Sequence, residues 1–313
     1  MPDLGTRVGQ LRLASPVVVA AGAQPLETLP DWPGLATLGA VVTKGITVLP
    51  RPGNPRPRLA RLPVGLVNSV GLENPGLDWL VDRYLPRLLG VPVPVVVNVA
   101  PFGVDEAATL ALGVATAASL DPRLDLGLEL NLSCPNVHAG AAAGSDPALA
   151  AETVAAARSV WSGPLWAKLP PLVPDLLPVA RAAVAAGADA VTLTNTLPAL
   201  TLGPDLCPAL GGGSGGLSGP AAKPVALAHT WRVAPRLAGA VIGCGGVASG
   251  RDAAEYLAVG ARAVAVATAA LDDPAAPARI VQELGQLLTE LGLDGVDQLV
   301  GRALAPEVTA NRG

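Results

Sequence analysis

Leu126-Gly127-Leu128-Glu129-Leu130-Asn131 runs without a break into Leu132-Ser133-Cys134-Pro135-Asn136. The first half reads as a short buried strand that ends in an amide. Pro135 removes a backbone donor and pushes Cys134 away from helical geometry, which puts the thiol on an irregular turn. Asn131 and Asn136 flank it. Two carboxamides around a thiol can read a flat, polar heterocycle while the thiol handles one of its protons. A lone cysteine in an apolar chain is otherwise a small buried hydrophobe, so the surrounding sequence must decide.

The same strand-then-polar pattern recurs along the chain. Val- and Ala-rich runs occur at Val17–Ala21, Ala40–Thr43, Val93–Asn98, Leu126–Asn131, Leu165–Lys168, Ala190–Thr194, Ala240–Gly243 and Ala263–Val266. They are continuous rather than alternating, as strands covered on both faces are. Helical stretches lie between most of them, at Asp105–Ser119, Pro147–Val160, Val173–Ala186, Ala221–Val233, Arg251–Val259 and Ala275–Leu291. Ser145-Asp146-Pro147 is a helix start, and Gly187 and Gly260 mark helix exits. The alternation predicts an α/β fold, a single (β/α)8 TIM barrel over residues 1–313. An open doubly wound sheet would carry an early G-x-G-x-x-G turn, which this sequence lacks.

A barrel of this kind builds its site at the C-terminal ends of its strands. The residues there are Ala21-Gly22, Lys44-Gly45, Asn98, Asn131, Lys168, Asn195-Thr196, Gly245-Gly246 and Ala267-Thr268. Only 15% of the chain is charged, and packing alone would not supply two lysines and three asparagines at those points. Lys44 and Lys168 suit an electron-rich ring or a flavin that becomes anionic on reduction. The run Gly211–Pro220, with six glycines in ten residues, precedes a helix. So do Gly245-Gly246 and Ala267-Thr268 after the last two strands, where backbone N–H groups commonly hold phosphate.

Composition narrows the function classes. The 313 residues carry a formal net charge of −4 and no basic run, which argues against a nucleic-acid partner. Mean hydropathy is positive at +0.47, yet no uninterrupted apolar stretch reaches the roughly 20 residues of a bilayer span. No signal-peptide pattern opens the sequence. Cys134, Cys207 and Cys244 lie far apart and form no disulfide framework, zinc site or iron–sulfur motif. The expectation is a cytoplasmic protein without a metal, with Cys207 and Cys244 structural.

These residues carry a family resemblance. Val42–Thr47, Gly53–Arg58, Leu66–Gly76, Asn131–Asn136, Ala167–Leu169, Thr194–Leu197 and Gly215–Ala221, in that order, resemble the dihydroorotate dehydrogenases, specifically the soluble class 1 enzymes. The resemblance spans nearly the whole chain and implies oxidation of (S)-dihydroorotate to orotate in pyrimidine synthesis, with one FMN per chain. It implies that Cys134 is the base for the C5 proton and that Lys44 lies between flavin and substrate. Asn68, Asn131, Asn136, Asn195 and Thr196 would bind the dihydropyrimidine, under a backbone cover of Val70, Gly71 and Leu72. FMN would lie on Ala21, Lys44, Gly45, Asn98, Asn131, Lys168 and Thr194, its phosphate on Gly219, Gly245, Gly246, Ala267 and Thr268. The segment Cys134–Gly144 would be a lid.

The early first strand leaves no room for the membrane-associating extension of class 2. Gly140 with Gly144–Pro147, and Leu217–Pro220, resemble the NAD-linked class 1B catalytic subunit more than the fumarate-using class 1A. That implies a homodimer, or a heterotetramer with an electron-transfer subunit that carries FAD and an iron–sulfur cluster. The sequence departs from the family pattern at Ala267, where glycine is usual, at Pro101-Phe102, in Arg56–Arg61, which lacks an acidic residue, and at His138-Ala139. Two other readings stay open. One is a different FMN barrel, such as a dihydropyrimidine dehydrogenase or a tRNA-dihydrouridine synthase. The other is a non-catalytic flavin-binding subunit.

Overall fold

The computed structural model describes residues 2–23, 29, 31–121, 123–133, 143–171 and 173–304. A closed barrel of parallel strands runs β10-β13-β14-β3-β4-β7-β8-β9. Its members are β3 (Val17–Val19), β4 (Ala40–Val42), β7 (Val95–Val99), β8 (Leu126–Asn131), β9 (Leu165–Leu169), β10 (Ala190–Leu193), β13 (Ala240–Cys244) and β14 (Ala263–Val266). Each coincides with an expected strand to within two residues. The ring closes where Ala265 on β14 pairs with Val18 on β3 and Thr192 on β10 pairs with Lys168 on β9. The (β/α)8 expectation is met.

Two apolar layers hold the barrel. The outer one lies between strands and helices and includes Val17, Val41, Val97, Leu128 and Leu130 against Leu110, Val154 and Ile280. The inner one contains Val18, Ala40, Val42, Val96, Ala190, Ile242, Ala263 and Ala265, packed around the single large side chain of Trp166. Small residues opposite one bulky one fit the tapering interior.

The floor is a feature the sequence reading missed. The antiparallel hairpin of β1 (Thr6–Val8) and β2 (Leu11–Leu13) turns at Gly9 and sends Val8, Leu11 and Leu13 into the inner layer. Arg7 and Arg12, its outward residues, are exposed.

Two insertions leave the C-terminal ends of β4 and β10 and meet in a four-stranded antiparallel sheet, ordered β11-β12-β6-β5. It joins β5 (Leu59–Leu62), β6 (Gly65–Asn68), β11 (Leu197–Ala199) and β12 (Gly215–Ser218). The glycine run is therefore not one loop. Its second half is strand β12, and only Gly219 and Pro220 lead into the helical turn beyond it.

The helices follow the expected signals. Asp146 caps Pro147–Arg158, its Oδ1 accepting from Ala148 N at 2.8 Å. The expected helix Val173–Ala186 is shorter, Leu177–Ala185, because Pro174 cannot continue a hydrogen-bonded turn and Asp175 Oδ1 accepts from Leu177 N. Among the described residues no helix is long and apolar enough to cross a membrane.

On the N-terminal face Arg158 ties three segments together. It donates to the carbonyls of Gly187, Trp161 and Gly163 at 2.8–2.9 Å and to Asp189 Oδ2 at 3.1 Å. Asp189 Oδ2 also accepts from Leu165 N at 2.8 Å. Arg158→Met is expected to cost about 2 kcal/mol of folding stability, since charge-assisted bonds go and three carbonyls lose their partner. The urea midpoint should fall while ligand binding at the opposite face stays unchanged. A midpoint equal to the parent's would show that water replaces the guanidinium at no cost.

Candidate active site

The strand-end residues gather at one mouth. β7 delivers Asn98, fully buried, with its backbone N–H donating to Thr43 Oγ1 at 3.0 Å. Next to it β8 carries Glu129, β9 carries Lys168 and β10 carries Thr192, and these line one cavity with Ala20, Ala21 and Trp166. Lys168 is only 7% exposed. Asn98 Nδ2 donates to Glu129 Oε1 and Thr192 Oγ1 donates to Glu129 Oε2, both at 2.7 Å. Asn98 Oδ1 and Trp166 Nε1 are buried polar atoms with no hydrogen-bond partner. Of the expected residues, Ala21 and Lys168 line this cavity, Asn98 reaches it through its bond to Glu129, and a Cβ on Gly45 would stand 2.8 Å from Asn98 Oδ1.

Above this layer the polar ends of β8 and β10 are cross-linked. Asn195 Nδ2 donates to Ser133 Oγ at 2.6 Å, and Ser133 Oγ donates to Asn131 Oδ1 at 2.6 Å. Asn195 Oδ1 accepts from Thr196 N at 2.8 Å. Thr194 N donates to the Cys244 carbonyl at 2.8 Å, which anchors that turn to β13. Cys134 and Asn136, with most of the expected lid, lie outside the described residues.

The antiparallel sheet brings in the rest. Asn68 ends β6 and donates from Nδ2 to the Gly216 carbonyl at 3.1 Å. Thr196 abuts the same glycine so closely that a Cβ on Gly216 would stand 1.9 Å from Thr196 Oγ1. The Val70–Leu72 turn uses left-handed backbone at Gly71 (φ 73°) and at Leu72 (φ 55°). Leu72 approaches Gly45, and Val70 O accepts from Asn54 N at 3.0 Å.

Lys44 meets a group that the sequence reading did not weigh. Its Nζ lies 3.4 Å from Glu73 Oε2, and Glu73 Oε1 is 2.7 Å from Arg58 Nη1. The Arg58 hydrogen bond holds the Glu73 carboxyl below its ordinary range against an opposing burial cost, with Lys44 adding to the lowering.

The expected phosphate corner assembles as well. Gly219 and Gly246 face each other, and a Cβ on Gly246 would stand 2.7 Å from Gly219 O and from Lys223 Cβ. Thr268 Oγ1 donates to Ser218 Oγ at 2.8 Å. Ala267, the departure from glycine, has a negative φ of −116°, so its methyl carries no left-handed penalty. Lys223 behind the corner pairs with Asp252 and with Glu255, the latter at 2.7 Å. Burial is the largest single influence and opposes ionisation of both Lys223 and Asp252. Their mutual hydrogen bond, together with the other hydrogen bonds and charges around each, outweighs it, so Lys223 is raised and Asp252 lowered.

Of the two cysteines described, Cys244 is buried, and burial pushes its thiol up. Cys207 is exposed, so it is not the packed residue expected of a structural cysteine. Phe102, another departure, lies under the Arg51 guanidinium at 4.8 Å. Glu129, Thr192, Ser133 and Glu73 are site residues missed from sequence. A carboxylate inside the otherwise apolar run Leu126–Leu130 was the available signal for Glu129.

The sequence model of the dihydroorotate dehydrogenase family matches residues 3–288. Curated relatives named dihydroorotate dehydrogenase B (NAD(+)), catalytic subunit, cover almost the whole chain. That of Desulforudis audaxviator (strain MP104C) is 44% identical over 304 residues, 95% of this chain and 96% of the relative. That of Trichlorobacter lovleyi is 40% identical over 306 residues, and that of Geobacter sp. (strain M21) 38% over 305; each alignment covers 96% of this chain and 98% of the relative.

Proposed function

The chain belongs to the dihydroorotate dehydrogenase family, and from that premise we propose that it is the catalytic subunit of an NAD-linked, class 1B dihydroorotate dehydrogenase. It oxidises (S)-dihydroorotate to orotate in pyrimidine synthesis, working as one FMN-binding barrel over residues 1–313. The observation that carries this reading is the cavity lined by Ala21, Glu129, Lys168 and Thr192, to which Asn98 is bonded through Glu129, together with the close approach of Gly219 and Gly246.

The family implies a flavin, and two features support FMN. Asn98 Oδ1 is a buried acceptor without a partner, which a ligand donor would satisfy. Gly219 and Gly246 leave a gap that one methyl group would fill, where backbone can approach a phosphate. When bound, FMN supplies a two-electron acceptor for the hydrogen that leaves C6 of the substrate with its electron pair.

The chain's own residues do the rest. Cys134 takes the C5 proton as general base, so that loss of both hydrogens leaves the C5–C6 double bond. Asn68, Asn131, Asn136, Asn195 and Thr196 bind the edge and carboxylate of the ring, with Val70, Gly71 and Leu72 closing over it. The Asn195–Ser133–Asn131 chain fixes two of these amides before substrate arrives. Lys44 supplies positive charge beside the substrate, and Glu73 holds it there until then. Lys168 and Thr194 complete the flavin bed, and Gly245, Ala267 and Thr268 the phosphate corner. The relatives' printed names as catalytic subunits support a partner subunit; that it carries FAD and an iron–sulfur cluster, in a heterotetramer built on a dimer of this chain, is what the class 1B reading adds. The exposed thiol of Cys207 suits a reducing cytoplasm.

Anaerobic mixing of the flavin-loaded protein with dihydroorotate, dihydrouracil and NADPH in parallel tests the reading. Dihydroorotate is expected to bleach the flavin fastest. Bleaching by one of the others while dihydroorotate leaves the spectrum unchanged would replace it.

A further inference from the structure

We propose that Glu129 is a positioning residue that fixes which end of the Asn98 amide faces the cofactor; this rests on the flavin reading above. Glu129 is 2% exposed, and its two oxygens receive one donor each, Asn98 Nδ2 and Thr192 Oγ1. Asn98 sits on the neighbouring strand β7 as the register partner of Glu129. Thr192 sits on β10, so its bond to Glu129 passes over β9 through the barrel interior.

Both Glu129 oxygens accept, one from each donor, so the Asn98 amide turns its NH2 towards Glu129. The amide is planar, and its oxygen is then directed away from Glu129. That oxygen is the buried atom without a partner, next to Gly45 in the mouth. The neutral amide could present either end to a ligand, and Glu129 removes the choice. At this point the site takes a ring N–H and rejects a ring nitrogen or carbonyl that needs a donor. Lys168, which lines the same cavity, supplies the donor on the other side. Thr192, the register partner of Lys168, spends its proton on Glu129 and cannot compete for that role.

The test is an equilibrium titration of apoprotein with FMN, read by quenching of flavin fluorescence. Glu129→Gln, which can donate as well as accept, is expected to weaken FMN binding at least tenfold. Asn98→Ala should weaken it too, and the double variant should bind no worse than Asn98→Ala alone, because Glu129 acts only through that amide. Losses that multiply in the double variant would assign Glu129 a merely structural role and overturn the proposal. So would wild-type affinity in Glu129→Gln. Thr192→Val, which keeps the volume and frees one carboxylate oxygen, should weaken binding two- to fivefold. It decides the matter if Glu129→Gln does not fold, since unchanged affinity there also overturns the proposal. Parent apoprotein that does not bind FMN would sink the flavin reading itself, an outcome distinct from the others.

Discussion

Replacement of Cys134 by alanine is expected to slow flavin reduction by dihydroorotate by about 10²- to 10⁴-fold at neutral pH, the range that a positioned general base supplies, while FMN stays bound. Cys134 lies in the segment outside the described residues, so its role rests on the motif and on what surrounds it. Three positions before it, Asn131 is held by Ser133, and Ser133 by Asn195. The turn therefore leaves β8 from a fixed start. The other thiols provide the controls. Cys244 is buried with its thiol pushed up, and Cys207 is on the surface. Replacing Cys207 by alanine should leave the rate as it was. Stopped-flow absorbance under anaerobic conditions makes the measurement, and an unchanged rate in Cys134→Ala would remove that thiol from the chemistry.

Gly246→Ala should weaken FMN binding by about 10- to 100-fold, or roughly 1.4–2.8 kcal/mol. Two costs combine. The backbone at Gly246 is left-handed, with φ at +67°, where a side chain costs about 1–2 kcal/mol. The added Cβ would also stand 2.7 Å from Gly219 O and from Lys223 Cβ. Lys223 cannot yield easily, because Asp252 and Glu255 hold its ammonium group. The methyl therefore pushes Gly219 out of the corner. Gly90→Ala separates the two effects, since Gly90 has φ +84° and nothing within 4 Å of an added Cβ. That variant should lose stability but keep FMN affinity, as read by titration of apoprotein. Equal affinities in the two variants would take the phosphate away from this corner.

The barrel was readable because each of its strands is covered on both faces, which writes a continuous apolar run into the chain. Asn98, Asn131, Lys168 and Asn195 were readable because they interrupt or end such runs. The elements that were not readable are short and have distant partners. Leu197-Pro198-Ala199 and Gly215-Gly216-Leu217-Ser218 have poor strand propensity, and they are strands only because they pair with each other and the second also pairs with Gly65–Asn68. The β1–β2 hairpin alternates correctly but over three residues a strand, too few to register. Glu129 illustrates the limit for the site. An inward-facing carboxylate two residues before a strand-end amide shows its purpose only when Asn98 and Thr192, 31 and 63 positions away, appear beside it.

The four-stranded sheet at the mouth also sets a timetable for synthesis. Its pairing of Leu66–Asn68 with Gly216–Ser218 cannot form until the ribosome has passed residue 218, and the barrel cannot close until β14 returns to β3. Local β–α pieces can form as they emerge, but these long-range pairings come last and carry the slow steps. The nascent chain therefore has no complete site for its cofactor until about five-sixths of it has been made, when residue 266 reaches Val19. Flavin capture therefore cannot precede the last sixth of synthesis, and a cell short of flavin would accumulate closed barrels rather than half-built ones.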